Sequence, residues 1–303
     1  MLDDRQAYVL NTLLERGFDI GRVLRFRRVQ RGRQAPSFEL LTAQGGEYLL
    51  SIFPPQFPAP ALDDAARVCH ALFEKKLPVP PPLPARAGGY VAPGPQHSHL
   101  ALSAAPEGQA MAAEQWSLQD LSLLGLRLAW LHRALAEVGP PPEQDYSRPA
   151  DDALLSLSLE PWPPMAQQVL AQAAEAPLST RRWLHGDVHA QAILLDADRH
   201  VSAFIDNGLM HAGDQQQDVL DVFVNWCLDE THFVRDEHAR AFFSAYRTLA
   251  PENVGDFSLA VVRWAAWRIR TSAHNIQPPP HGFPQLLANL PGLATAANLC
   301  AGN

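Results

Sequence analysis

Apolar residues recur at helical spacing over residues 4–16, where Ala7, Leu10, Leu13 and Leu14 mark one face, so the chain is expected to open on an amphipathic helix. A basic stretch follows, GRVLRFRRVQRGRQAP. The runs SFELLTA and EYLLSIF then predict a hairpin, because Gln44-Gly45-Gly46 between them can take the positive φ that a tight turn requires. Residues 61–76 predict a short helix that stops at LPVPPPLP, where successive prolines remove backbone donors. HLALSA predicts a further strand, and Pro106-Glu107-Gly108 punctuates the chain after it.

Beyond that point the period changes. Residues 117–136, 215–228, 235–250 and 256–272 carry helical spacing, and the short runs ILLDA and VSAFID are the exceptions. The pattern predicts an α+β chain in two lobes: a small sheet lobe over residues 1–102, a hinge over 103–108, and a larger helical lobe over 109–303. At 303 residues and 47% hydrophobic content, the chain can bury a sizeable core.

Composition narrows the classes. No apolar run reaches the roughly 18 residues of a membrane span, and MLDDRQAYVL lacks the basic and apolar regions of a signal peptide; a cytoplasmic protein without a membrane partner is expected. A net charge of −8 argues against nucleic acid as a partner and suits a cationic small substrate. Cys69, Cys227 and Cys300 are odd in number and widely spaced, which indicates neither a disulfide framework nor a zinc site. Two lysines, Lys75 and Lys76, stand against 22 arginines.

The chemistry concentrates in HGDVHAQAILLDADRHVSAFIDNG, residues 185–208. A strand pair between Asp187 and Asp206 would bring both turns to one sheet edge. Phosphoryl transfer needs one carboxylate to orient or deprotonate the attacking hydroxyl and another to hold the metal that bridges the nucleotide phosphates. Asp187 is the candidate for the first role and Asp206 for the second. Trp226, Trp264 and Trp267, with Asp229, Glu230 and His274, are candidates for a substrate cleft, although a helical Trp stripe is more often core.

With LRLAWLHRAL upstream, these motifs resemble the aminoglycoside phosphotransferase and choline kinase superfamily, with homoserine kinase type II-like members most similar in layout. HGDVHAQAILLD is similar to that family's HGDLHPGNILVD loop, and AFIDNGLMHAGDQQQDVL, with Gly213-Asp214 and Asp218, is similar to its metal-binding segment. The resemblance implies a two-lobed, protein-kinase-like fold, with ATP and Mg²⁺ as cofactors if the chain is active. It also implies three departures. Ala192 stands where the family has a metal-coordinating Asn, Ser51 stands where it has the phosphate-binding Lys, and Ala65 stands where that lysine's Glu partner is expected. Arg31, Arg33 and Ser103 join Ser51 as candidate nucleotide contacts, and Gln191 or Asn207 as candidate amides near the metal. The first His of the loop is expected to bond backbone rather than a metal. Two readings follow: a catalytically weakened, pseudokinase-like protein that binds a nucleotide, a metabolite or a protein partner, or an active ATP-dependent kinase acting on a hydroxyl of a small polar or cationic substrate.

Overall fold

The computed structural model describes residues 3–29, 35–55, 57–141, 165–175, 181–273 and 282–302. Helix α1 (Asp4–Gly17) starts at Asp3, whose carboxylate accepts from Gln6 N at 2.7 Å while the Gln6 side chain accepts from Asp3 N at 3.1 Å. This reciprocal cap satisfies two amides that the first turn leaves without partners. The helix buries Leu10 and Leu14.

They pack on one antiparallel sheet made of β1 (Val23–Val29), β2 (Ser37–Thr42), β3 (Glu47–Phe53), β4 (Val91–Pro93) and β5 (His99–Ala104), in the order β1-β2-β3-β5-β4. Phe38, Leu40, Leu50, Leu100 and Leu102 supply the sheet's share of that small core. The expected hairpin is β2 and β3, with Gly45 at φ +80° in the turn. β1 lies in the stretch that reads only as basic. A register shift between Val23 and Arg25 breaks its alternation, and Arg25, Arg27 and Arg28 stay exposed, with Arg27 opposite Glu39 and ion-paired to it. β5 also runs on past residue 102, because Ser103 and Ala104 still pair with Leu49 and Tyr48. The segment expected as a hinge therefore begins inside the sheet.

Helix α2 (Ala59–Glu74) connects the two halves. Its Val68, Cys69 and Leu72 belong to the large core of the helical part, whereas Leu62 packs with Phe53, Phe57 and Trp267. The large core is built by α3 (Leu118–Glu137), α4 (Met165–Glu175), α5 (Gln216–Trp226), α6 (Asp236–Arg247), α7 (Ser258–Ala273), α8 (Phe283–Ala288) and α9 (Leu290–Gly302), around Trp226, Trp264, Tyr246 and Phe243. Gly125 sets the approach of α3 to α6, since a Cβ there would lie 2.6 Å from Phe242 O.

Two short strand pairs are set into this helical part: β6 (Arg182–Leu184) with β9 (His211–Gly213), and β7 (Ile193–Leu195) with β8 (Val201–Phe204). The second is the expected connection between Asp187 and Asp206. β6 and β9, at three residues each, are too short to show alternation in the sequence. Among the described residues, no helix is long and apolar enough to cross a membrane.

Candidate functional site

The turn between β6 and β7 is held by α5. Asp218 accepts from His185 N at 2.7 Å, from Gly186 N at 2.8 Å and from His132 Nε2 at 3.1 Å. One helical turn on, Asp221 accepts from Val188 N at 3.1 Å and from Trp264 Nε1 at 2.6 Å. Residues three apart lie on one helix face, so two carboxylates of one helix satisfy three backbone amides of the buried turn. Burial works to raise the Asp218 carboxyl, but its hydrogen bond from His132 and the neighbouring charges prevail and hold it below the ordinary carboxylate value.

His185 Nδ1 accepts from Asp187 N at 3.3 Å, which leaves the ring proton on Nε2 to be donated to Ile205 O at 2.9 Å. The first His of the loop thus ties the Asp187 turn to the Asp206 turn through backbone, and burial lowers its pKa. His189 Nδ1 accepts from Gln191 N at 3.2 Å, and its Nε2 donates to Asp187 Oδ2 at 3.2 Å. Asp187 is fully buried, and its Oδ1 accepts from Arg268 Nη1 at 3.1 Å. Arg268, itself buried, also donates from Nε to Asp221 Oδ1 at 3.2 Å. The preceding Trp267 donates to Gly186 O at 3.0 Å and stacks on His211 at 3.8 Å.

Asp206 stands at φ +65° and ψ +35°, a left-handed conformation that Asp tolerates better than most residues. This bend brings its carboxylate to Asp187 and His189; one donor atom from each of the three lies within 4.8 Å of the others. Oxygen donors from two carboxylates suit a hard divalent cation, and the imidazole is already committed to Asp187. Ala192 turns no donor side chain toward this cluster.

Asp206, Asn207 and Gly208 also line a cleft of about 710 Å³, counted with its open mouth, between the sheet and α2. Ser51 and Ser103 line it from the sheet and Ala65 from α2, so three positions far apart in sequence meet at one cleft. Ser51 Oγ lies 3.4 Å from Ser37 Oγ across the β2–β3 pair. Among the described residues lining the cleft, Asp206 is the sole charged side chain. Asn207 Nδ2 donates to Phe204 O at 3.2 Å, while its Oδ1 is buried with no hydrogen-bond partner among the described residues.

Arg31, Arg33 and His274 lie outside the described residues. Trp226 is core, edge-on to Trp116 at 5.1 Å; Trp264 donates to Asp221, and Trp267 donates to Gly186 and packs with Phe53 and Leu62. Asp229 folds its own turn, accepting from Thr231 N at 2.8 Å and Phe233 N at 3.0 Å, and Glu230 is exposed. Asp221 and Arg268 are the residues that the sequence reading missed. The Asp218-Val-Leu-Asp221 spacing could have indicated the first; no local pattern marks Arg268.

The sequence matches the phosphotransferase enzyme family over residues 25–251. No curated protein matches it. Among solved structures, the chain is similar to the amicoumacin kinase hAmiN in complex with AMP-PNP, Ca²⁺ and Ami, at 13% identity and a TM-score of 0.66 over 98% of this chain and 93% of that one. It is similar to a microcompartment-associated aminopropanol kinase at 15% identity and a TM-score of 0.59, covering 97% and 95%. A thermostable mutant of the aminoglycoside phosphotransferase APH(4)-Ia, in a ternary complex with AMP-PNP and hygromycin B, aligns at 16% identity and a TM-score of 0.54, covering 97% and 96%. At these identities the likeness shows the fold alone: the kinase-like arrangement of a small antiparallel sheet and a helical region.

Proposed function

Because this chain belongs to the phosphotransferase enzyme family, we propose that it is a catalytically weakened, pseudokinase-like member that binds a nucleotide or a metabolite in the cleft between the sheet and α2, or serves a protein partner there. The similar structures that hold AMP-PNP support the nucleotide as the first ligand to try. The reading rests on the charge of the cleft. Ser51 on β3 and Ala65 on α2 line the same cleft, which supports the register that sets them in the places of the phosphate-binding lysine and its glutamate. A triphosphate entering there meets, among the described lining residues, one carboxylate and no basic side chain. Removing one preorganised electrostatic interaction from such a site costs on the order of 10²–10³ in rate.

In this reading Asp187 is the residue that would orient an acceptor hydroxyl, and Asp206 the one that would hold a divalent cation between protein and phosphates. Asp187 is fully buried and paired with Arg268, a cation it shares with Asp221. Ser103 would border the nucleotide from β5, and Arg31 and Arg33 remain candidate phosphate contacts. A cytoplasmic location is part of the same proposal.

A specific observation favours the alternative of an active ATP-dependent small-molecule kinase: both carboxylates are kept and meet within 4.8 Å together with His189. Calorimetric titration with Mg·ATP separates the two. The weakened reading expects a dissociation constant toward about 1 mM, roughly −4 kcal/mol, whereas one near about 1 μM, roughly −8 kcal/mol, would carry the active reading. If turnover is found, Asp187→Asn and Asp206→Asn should each abolish it; unchanged transfer in either variant would place the chemistry elsewhere.

A further inference from the structure

The structure points to a replacement for the metal ligand that Ala192 has removed: we infer that Asn207 supplies an amide oxygen to the same divalent cation that Asp206 holds. The buried Asn207 Oδ1 has no hydrogen-bond partner among the described residues. Leaving a buried acceptor unmet is costly, so such an atom calls for a ligand of positive character. Its orientation is fixed, because Nδ2 donates to Phe204 O at 3.2 Å and turning the amide would lose that bond. The residue follows Asp206 directly, and both line the cleft. The left-handed backbone at Asp206, φ +65°, starts the single 3₁₀ turn Asn207–Leu209. That turn sets the carboxylate and the amide on consecutive residues of the cleft lining.

The chemistry of the donors agrees. Mg²⁺, Mn²⁺ and Ca²⁺ take carboxylate and amide oxygens, so an Asn oxygen beside an Asp oxygen repeats the type of donor pair that an Asn at position 192 would have completed. The inference rests on the reading of the cleft as a nucleotide and metal site, and the two can fail separately: Mn²⁺ alone tests Asn207, and nucleotide tests the cleft.

Mn²⁺ binding is read by water-proton relaxation or electron paramagnetic resonance on the full chain without nucleotide, for the parent, Asn207→Ala, Asn207→Asp and Asp206→Asn. Removing even a partner that only supports a metal ligand typically weakens binding about 10–100-fold, so Asn207→Ala should lose at least about tenfold. Asn207→Asp is near in shape and keeps an oxygen, so it should bind at least as tightly as the parent. Ala192→Asn added to Asn207→Ala should recover the loss, which a merely misfolded variant would not do. The inference is overturned by any of three results: Asn207→Ala binds like the parent, Asn207→Asp loses binding as Asn207→Ala does, or the parent binds Mn²⁺ no better than Asp206→Asn. A parent that binds Mn²⁺ through Asn207 but takes no nucleotide would keep this inference and remove the nucleotide reading.

Discussion

Replacing Arg268 by methionine removes a buried cation and leaves the volume nearly filled. In the parent, Nη1 lies 3.1 Å from Asp187 Oδ1 and Nε lies 3.2 Å from Asp221 Oδ1. At an effective dielectric of about 20, each such pairing is worth about 5 kcal/mol of Coulomb energy, most of which offsets the cost of taking three charges out of water. The net loss on deleting one member of a buried pair is about 3–5 kcal/mol, because the partner charge stays behind. Burial already pushes the Asp221 carboxyl above its ordinary value, and the Arg268 charge works against that push. Without the arginine, the folded pKa rises further above the unfolded one, so protonation on acidification favours the folded variant. Urea unfolding of parent and variant at pH 7 and pH 5 should therefore show a gap that is large at pH 7 and smaller at pH 5. A gap of equal size at both pH values would mean that lost packing, rather than stranded charge, explains the defect, and the electrostatic account of the turn would be wrong.

Asp218→Asn keeps the shape but turns an amide NH₂ toward donors that now sit at 2.7 and 2.8 Å. Losing one charge-assisted bond and stranding one buried amide should cost about 3–5 kcal/mol in urea unfolding, and a cost below about 1 kcal/mol would show that the turn stands without α5. His185 is buried with a pKa held below 6.5, so below pH 6.5 the unfolded chain takes up a proton that the folded chain refuses. Stability should fall as the pH drops from 6.5 through the lower folded value, and thermal unfolding of His185→Gln against the parent should show a shallower decline over that range.

The sequence carried the carboxylates and their strand pair plainly, because HGD and IDNG sit at turns flanked by short apolar runs whose pattern survives burial. The hairpin was legible through Gly45. β1 was not, since a register shift and three exposed arginines remove the alternation that marks a strand. The family resemblance points to Ser51, Ala65 and Ala192 as positions to question, and Ser51 and Ala65 do line one cleft. The clamp on Asp187 was out of reach: Arg268 lies 81 residues away along the chain, on a helix whose apolar pattern reports only its packing. Asp221 was within reach only through its spacing from Asp218, since a buried acid on an amphipathic helix otherwise looks in sequence like one more polar position.

The most direct test of the central claim, that this cleft is a nucleotide site without its phosphate grip, is Mg·ATP titration of Ser51→Lys, Ala65→Glu and the double variant against the parent. The two positions line one cleft, Ser51 on β3 and Ala65 on α2. The account predicts little gain from either change alone, because each strands a charge, and a gain of about tenfold or more for the pair, beyond the sum of the single effects. A folded double variant that binds Mg·ATP no better than the parent would contradict it.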